Sequence, residues 1–298
     1  MLTDLHVHLR DDEFDLTPEV AFTPENVGRY LESARAKGIN VLGVSEHMYR
    51  FRQARQVWEH PSWTPWATDD LDAYCEFIRN ETPLLLGIEA DYLAGREEQI
   101  EEYLAGRDWD YVIGSIHFIG DLEVNDESEA NVWNGKLGDV DAIWDAYFDH
   151  LMRAARSGLY DIMAHPDLVK HGGTTTPQPT RDRRHWYEPA VAAMADSGVA
   201  IELSTAGFLE QVGEQYPDVE FLRLAVEAGV PVALSSDAHM ASELGQFYDR
   251  ALATLAEVGV DQISTFEHRT RTELPLSADP DEAAAGWFSA GPGRFGSS

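Results

Sequence analysis

Positive charge, cysteine and long apolar runs are scarce in this sequence of 298 residues. Lysine and arginine together number 22 against 53 aspartate and glutamate residues, which gives a formal net charge of −31. Such an acidic surface repels polyanions, so it argues against an extended nucleic acid or an anionic membrane as a partner. No run approaches the roughly 20 apolar residues of a membrane-spanning helix. The single cysteine, Cys75, excludes a framework of internal disulfides.

The rest of the composition is typical of a folded protein. Hydrophobic residues make up 44% of the chain and aromatic residues 10%, which are globular values. The amino-terminal sequence MLTDLHVHL lacks the basic start and apolar run of a signal peptide. Low cysteine usage also suits a reducing compartment. We therefore expect a cytoplasmic protein, and the sequence leaves its oligomeric state open.

Short apolar runs rich in β-branched residues recur along the chain, and each is followed by a segment with helical spacing. The runs are Leu2–Val7, Asn40–Ser45, Leu84–Ile88, Tyr111–Ile116, Asp161–Ala164, Val199–Leu203 and Val232–Ser235. Alternating strands and helices predict a parallel sheet covered by helices, and these seven units favour a closed or nearly closed β/α barrel. We expect residues 1–276 to form one domain and the small, Gly- and Ser-rich residues 277–298 to form a flexible tail.

Histidine and carboxylate side chains follow six of these seven predicted strands. Because the carboxyl ends of barrel strands converge on one face, we expect them to share one site. They are His6, His8, His47, Glu89, His117, His165, Asp237 and His239. Mixed imidazole and carboxylate ligands suit zinc, manganese or iron, and this set exceeds the needs of one ion. The sequence therefore predicts a cluster of two or three divalent metal ions, with His171 left undecided.

Several motifs, taken in order, resemble the PHP (polymerase and histidinol phosphatase) family, and most closely its histidinol-phosphatase branch. They are Asp4-x-His6-x-His8, Ser45-Glu46-His47, Gly87–Tyr92, Gly114–His117, Ala164–Leu168 and Ser235–His239. The resemblance implies an α/β fold, a distorted, TIM-like (β/α)7 barrel of seven strands with a metal site at their carboxyl ends. It also implies hydrolysis of a phosphoester by a metal-bound hydroxide.

The resemblance further distributes the ligands among three ions. It assigns the first ion to His6, His8, Glu89 and Asp237, the second to His47 and His239, and the third to Glu89, His117 and His165. Many members complete the second site with a histidine soon after the first motif, where this chain has Arg10, Asp11 and Asp12. Asp12 is the expected oxygen substitute, followed by Asp11, and a solvated acidic loop is the alternative.

A phosphate substrate needs positive groups near this cluster, and a flat ring in the substrate would need an aromatic contact. The guanidinium group of arginine can form two hydrogen bonds with phosphate oxygens, and a lysine near the opening of the site would add a positive charge. The candidate substrate-binding residues are Arg50, Arg52, Phe118 and Lys170. Pairing with surface carboxylates is the alternative for the arginines, and core packing is the alternative for Phe118. The tryptophan-rich segment 52–68 is also expected to fold over the site.

We expect the chain to be a phosphomonoesterase that converts L-histidinol phosphate to L-histidinol and phosphate, a step of histidine biosynthesis. A hydroxide bridging two ions would attack phosphorus, and Asp237 or His239 would pass a proton to the leaving group. The segment Phe208–Glu210 lacks the arginine that this branch tends to carry. A nucleotide or another small phosphoester is therefore the alternative substrate, and a metal-dependent amidohydrolase or a non-catalytic metal-binding protein is the alternative class.

Overall fold

Seven parallel strands form the central sheet of the protein, whose computed structural model describes residues 1–10, 17–125 and 131–276. The strands are β1 (Thr3–Asp4), β2 (Val41–Val44), β3 (Leu85–Asp91), β4 (Tyr111–Ser115), β7 (Ile162–Met163), β8 (Ala200–Ser204) and β9 (Val232–Ser235). They lie in the order β1-β2-β3-β4-β7-β8-β9, which is also their order along the chain. All of the predicted strands are therefore confirmed. The proposed tail, residues 277–298, lies outside the described residues.

The two edges of this sheet meet just beyond the ends of β1 and β9. Val7 and Ala238 form a parallel bridge, and the His8 backbone N–H donates to the Ala238 carbonyl at 2.8 Å. The Thr3 hydroxyl also donates to the Leu234 carbonyl at 3.1 Å. Because these contacts join the first strand to the last, the sheet forms a nearly closed barrel, as the sequence predicts.

Helices cover the outside of the barrel. They are α1 (Pro18–Ala21), α2 (Pro24–Ala36), α3 (Leu71–Glu81), α4 (Glu97–Leu104), α5 (Val140–Arg156), α6 (Arg184–Ser197), α7 (Val219–Glu227) and α8 (Tyr248–Val258). Side chains at their first turns explain where two of them begin: Thr23 accepts from the Asn26 N–H, and Asp70 accepts from the N–H groups of Asp72 and Ala73. None of the helices in the described residues is long and apolar enough to span a membrane.

Two antiparallel hairpins were not predicted from the sequence. One pairs β5 (Phe118–Ile119) with β6 (Leu122–Glu123), and the other pairs β10 (Gln262–Glu267) with β11 (Thr270–Pro275). In the second hairpin Phe266 is buried against Tyr111, the first residue of β4, with ring centroids 6.4 Å apart. This hairpin therefore packs at the amino-terminal end of the barrel, opposite the strand ends that carry the histidines.

Tyr111 fills the inside of the barrel at that end and explains two strand glycines. A Cβ at Gly43 would lie 2.2 Å from the Tyr111 hydroxyl, and a Cβ at Gly87 would lie 2.3 Å from its ring. The buried hydroxyl donates to the Leu5 carbonyl at 2.6 Å, so its polar atom is satisfied. Glycine on β2 and β3 is therefore required by the close approach of one aromatic ring.

Candidate metal centre

Eight histidine and carboxylate side chains predicted from the sequence lie together at the carboxyl ends of the strands. His6 and His8 follow β1 and share one side of the chain, as expected from the alternation of an extended backbone. Groups of three offer ligand atoms within 4.8 Å of one another: His6, His8 and Glu89; Glu89, His117 and His165; His8, His47 and His239; and His6, His165 and Asp237. The structure thus brings together residues that are more than 230 positions apart in the sequence.

Glu89 lies at the middle of this cluster and faces different histidines with its two oxygens. Oε2 lies 3.4 Å from Nε2 of His6, while Oε1 lies 3.4 Å from Nε2 of His117 and 3.3 Å from Nε2 of His165. Oε2 also contacts Nδ1 of His47. One carboxylate therefore belongs to two sets of ligands, which is the arrangement of a residue that bridges two metal ions.

Asp237 completes the set around His6 and His8. Its Oδ1 atom lies 3.3 Å from Nε2 of each of these two histidines. The backbone of Asp237 has φ 56°, and that of His165 has φ 23°, so both adopt the left-handed region that few residues other than glycine occupy. Strained backbone of this kind persists where the surrounding structure fixes it, commonly at functional sites.

The imidazoles of His47 and His239 both lie next to His8 and are close to each other, with ring centroids 5.6 Å apart. Their ring centroids are 4.2 Å and 4.3 Å from the centroid of His8, and Nε2 of His47 lies 3.4 Å from Nε2 of His239. This is the pair predicted for the second metal ion. Asp12, the predicted third ligand of that ion, lies outside the described residues.

The donor atoms of the cluster fit divalent metal ions. Nε2 of His6, Nε2 of His8, Oε2 of Glu89 and Oδ1 of Asp237 are buried and have no hydrogen-bond partner among the described residues. Buried polar atoms without a partner destabilise a folded protein, and a bound cation supplies the missing partner. Nitrogen and carboxylate donors with this spacing suit zinc or another first-row transition metal.

The charges within the cluster also favour metal binding. Burial opposes ionisation of Glu89, yet His47, His6 and His117 hold the pKa of its carboxyl well below the ordinary value. Burial and the neighbouring His47 and His239 lower the pKa of His8 well below its ordinary value. These directions favour an ionised Glu89 and a neutral His8, the protonation states that bind metal ions, whereas neighbouring carboxylates, acting against burial, raise the pKa of His6, His47 and His117, so a metal ion would displace a proton from these rings.

Buried carboxylates whose role was not predicted from the sequence contact the candidate ligands or the backbone next to them. Glu202 Oε1 lies 2.9 Å from His6 Nδ1, and Asp91 Oδ1 lies 2.9 Å from His117 Nδ1. Glu46 accepts the backbone N–H of Leu9 at 2.6 Å, and burial raises the pKa of its carboxyl to about 7. The available signal was an acidic residue inside an otherwise apolar strand, as in Ile201-Glu202-Leu203.

A cavity of about 540 Å³ opens from this cluster. One wall is aromatic and includes Tyr49, Trp63, Trp66 and Phe118, so the tryptophan-rich segment does border the site. The lining also includes Glu123, Asn125, His171, Glu210 and Tyr216. None of the described residues that line the cavity is a lysine or an arginine. The lining is therefore acidic and aromatic away from the cluster.

Two predicted substrate contacts need correction because the structure places them elsewhere. Lys170 is buried, and its ammonium group contacts Asp167 Oδ2 at 3.0 Å, Glu214 Oε1 at 2.9 Å and the Gln215 carbonyl at 2.9 Å. These partners use all the donors that a lysine has. Arg52 forms an exposed ion pair with Asp70 at 2.6 Å, outside the cavity lining. Neither cation is available for a phosphate group in this structure.

The other two predicted contacts differ from each other. Phe118 lines the cavity, although its side chain is only 6% exposed, so it also packs in the core. Arg50 is buried behind the cavity wall, with its guanidinium carbon 5.7 Å from the Tyr49 ring centroid and 6.0 Å from that of Trp66. Arg50 therefore supports two aromatic side chains of the wall and is absent from the described lining.

Comparison with known proteins identifies similar sequences and a similar structure. The PHP domain matches residues 23–206 of the chain. A Deinococcus radiodurans protein named "Probable histidinol-phosphatase" is 32% identical over 270 residues, which cover 90% of this chain and 97% of that protein. A Proteus mirabilis protein named "Probable phosphatase" is 25% identical over 264 residues, covering 87% and 86% of the two chains.

Among solved structures, the fold resembles that of histidinol phosphate phosphatase from Lactococcus lactis. That crystal structure is described as a complex with zinc, L-histidinol and phosphate. The TM-score is 0.65 at 18% sequence identity, and the match covers 91% of this chain and 98% of the other. At this identity the similarity establishes the fold, and it agrees with the barrel described above.

Proposed function

Since this chain belongs to the PHP domain family and is a phosphoric monoester hydrolase, we propose that its substrate is L-histidinol phosphate. Water would hydrolyse the ester to L-histidinol and phosphate, a step of histidine biosynthesis. The observation that carries this proposal is the cavity lining, where a metal-binding cluster adjoins aromatic and acidic side chains. In a substrate with a phosphoester, a flat ring and an ammonium group, the phosphoester would bind at the cluster, the ring at the aromatic side chains and the ammonium group at an acidic side chain. We assign this chemistry to residues 1–276 as one domain.

We infer that two or three divalent ions are held by the cluster. His6, His8, Glu89 and Asp237 would hold the first, His47 and His239 the second, and His117, His165 and Glu89 the third. When bound, such ions activate water and neutralise charge on the phosphoryl oxygens. Zinc, manganese and iron all suit these donors, and zinc is the ion in the Lactococcus lactis structure.

Asp237 and His239 are the groups that we propose to handle the proton of the leaving group. Both side chains border the cavity, and His239 Nδ1 lies 3.1 Å from the Asp237 carbonyl. Burial opposes ionisation of Asp237, but His6 and its neighbours hold the pKa of the carboxyl well below its ordinary value. As an ionised group, Asp237 would accept a proton from the attacking water, and Asp237 or His239 would pass this proton to the alkoxide oxygen as the P–O bond of the ester breaks.

The ring and the ammonium group of the substrate would bind to different parts of the cavity lining. Tyr49 is partly exposed and Trp66 is 41% exposed, so these two lining side chains would offer aromatic surface to an imidazole. Elsewhere in the lining, His171 lies between the Tyr216 hydroxyl at 3.2 Å and the Glu210 carboxylate at 3.6 Å. Glu210 stands in the segment where the histidinol-phosphatase branch tends to carry an arginine, so this chain places a negative charge there. We propose that Glu210 pairs with the substrate ammonium.

Replacing Glu210 with glutamine tests this arrangement. We expect Glu210→Gln to raise KM for L-histidinol phosphate about fivefold, because a half-exposed charge pair contributes about 1 kcal/mol. KM for an aryl phosphate, which has no ammonium group, should not change. Steady-state kinetics of both substrates measure the difference.

The matched control is Glu257→Gln, which removes an exposed carboxylate that pairs with Arg223 on the outer helices. It should leave both KM values unchanged. An equal rise of both KM values in Glu210→Gln would show that the residue acts on the cavity in general and would contradict recognition of the ammonium group.

A further inference from the structure

Glu202 is a buried carboxylate in the middle of β8, the one barrel strand that supplies none of the predicted metal ligands. Its side chain is 0% exposed and is flanked along the strand by Ile201 and Leu203. An ionised carboxylate in such a position is costly unless its oxygens are bonded to donors. Its contacts therefore indicate why an acidic residue occupies this position.

Both oxygens of Glu202 bind residues of the metal centre. Oε1 lies 2.9 Å from Nδ1 of His6, and Oε2 accepts the backbone N–H of His165 at 2.6 Å. In the proposed metal centre, His6 belongs to the first site, with His8, Glu89 and Asp237, and His165 belongs to the third site, with Glu89 and His117. One side chain thus contacts a ligand from each of two sites.

The contact with His6 determines which nitrogen faces the metal site. A carboxylate only accepts hydrogen bonds, so Nδ1 of His6 must carry the proton. In the neutral imidazole that would bind a metal ion, Nε2 then carries the lone pair, and this atom lies 3.4 Å from Glu89 Oε2 and 3.3 Å from Asp237 Oδ1. A hydrogen bond of this type fixes both the tautomer and the ring orientation of a ligating histidine.

The contact with His165 acts on the backbone. His165 has φ 23°, which is unfavourable for a residue with a Cβ. The short bond from its N–H to Glu202 holds this turn, and the turn places Nε2 of His165 3.3 Å from Oε1 of Glu89. Glu202 therefore orients one ligand through its ring and another through its main chain.

We propose that Glu202 is a positioning residue that couples two metal sites by fixing His6 and His165 at the same time. This inference rests on the proposed metal centre and concerns a residue outside its ligand set. Asp91 provides the contrast, because it contacts Nδ1 of His117 at 2.9 Å and so supports a ligand of the third site alone. Loss of Glu202 should weaken two sites, whereas loss of Asp91 should weaken one.

Glu202→Gln is the informative variant because it keeps the shape and removes one acceptor. The N–H of His165 can only donate, so the single amide oxygen of glutamine should turn toward it. The amide NH2 then faces Nδ1 of His6 and requires that nitrogen to accept. The proton of His6 would move to Nε2, where it blocks metal coordination.

The test measures zinc binding and the histidine proton, apart from activity. Chelator competition should show zinc affinity lowered about 10- to 100-fold at two sites in Glu202→Gln and at one site in Asp91→Asn. NMR of the zinc-loaded protein with ¹⁵N-labelled histidine should show a hydrogen-bonded Nδ1–H for His6 in the wild type. That signal should be lost in Glu202→Gln.

The outcomes separate this inference from the proposed function. Unchanged zinc affinity and an unchanged His6 signal in Glu202→Gln would overturn the role of Glu202. That result would not bear on the proposal that the protein hydrolyses L-histidinol phosphate. If the variant does not fold, the NMR measurement on the wild-type protein still tests the proposal. Zinc-loaded wild type without a proton on Nδ1 of His6 would also overturn the role of Glu202. Failure of the wild type to bind zinc would instead contradict the proposed metal centre.

Discussion

The Glu89→Gln variant is expected to lose about 10³-fold or more of the kcat/KM for phosphomonoester hydrolysis and to bind fewer metal ions. Glu89 reaches His6 with one oxygen and both His117 and His165 with the other. An amide has one acceptor oxygen and one NH2 group, so glutamine cannot serve two sets of ligands. A loss of this size corresponds to about 4 kcal/mol of transition-state stabilisation.

Metal content and activity of Glu89→Gln should be measured on the same preparation. The variant should lose at least one bound ion per chain along with its activity. The control is Glu102→Gln, an exposed position on α4, which should keep both. Wild-type turnover by a Glu89→Gln protein with fewer ions would contradict catalysis by the cluster.

Removal of metal ions by a chelator is expected to lower the free energy of unfolding by about 4 kcal/mol, relative to protein with free metal at about 1,000 times Kd. Buried nitrogen and oxygen atoms of His6, His8, Glu89 and Asp237 have no hydrogen-bond partner among the described residues. Without bound cations, these buried atoms contact one another but form no hydrogen bonds, which destabilises the folded state. Urea unfolding of treated and metal-loaded protein measures the difference.

The Glu89→Gln variant is the control for this experiment, because its incomplete cluster should give a smaller loss of stability upon chelation. Re-addition of zinc should restore the unfolding curve of the wild type. Superimposable curves with and without the chelator would show that the cluster does not hold metal ions strongly enough to affect folding, which would contradict the account.

The barrel and most of its candidate metal centre could be predicted from the sequence, for a physical reason. Strands buried on both faces are continuous apolar runs, and their ends are marked by the first polar residues. His6 and His8 share a side because an extended chain alternates. His47, His117, His165 and His239 then meet at one end because parallel strands all point the same way. The structure confirms the strands and brings these side chains together.

Side-chain partners could not be predicted, because they depend on distances across the barrel. Lys170 looked available for phosphate, yet Asp167 and Glu214 surround its ammonium group. Glu202 looked like an irregularity in an apolar strand, yet it bonds to His6, 196 residues away. The hairpin Gln262–Pro275 was missed because its strands follow the last predicted barrel unit and one of them is mostly exposed.

The most direct test of the proposed function is kcat/KM for L-histidinol phosphate beside 4-nitrophenyl phosphate, measured on protein whose metal content is known. The two substrates share a phosphoester, but only L-histidinol phosphate carries the imidazole and the ammonium group that the aromatic wall and Glu210 would bind. We expect a preference of about 100-fold for L-histidinol phosphate, as a charge-assisted contact and ring stacking together contribute about 3 kcal/mol. A ratio near one on fully metal-loaded protein would contradict the proposal that this enzyme acts on L-histidinol phosphate.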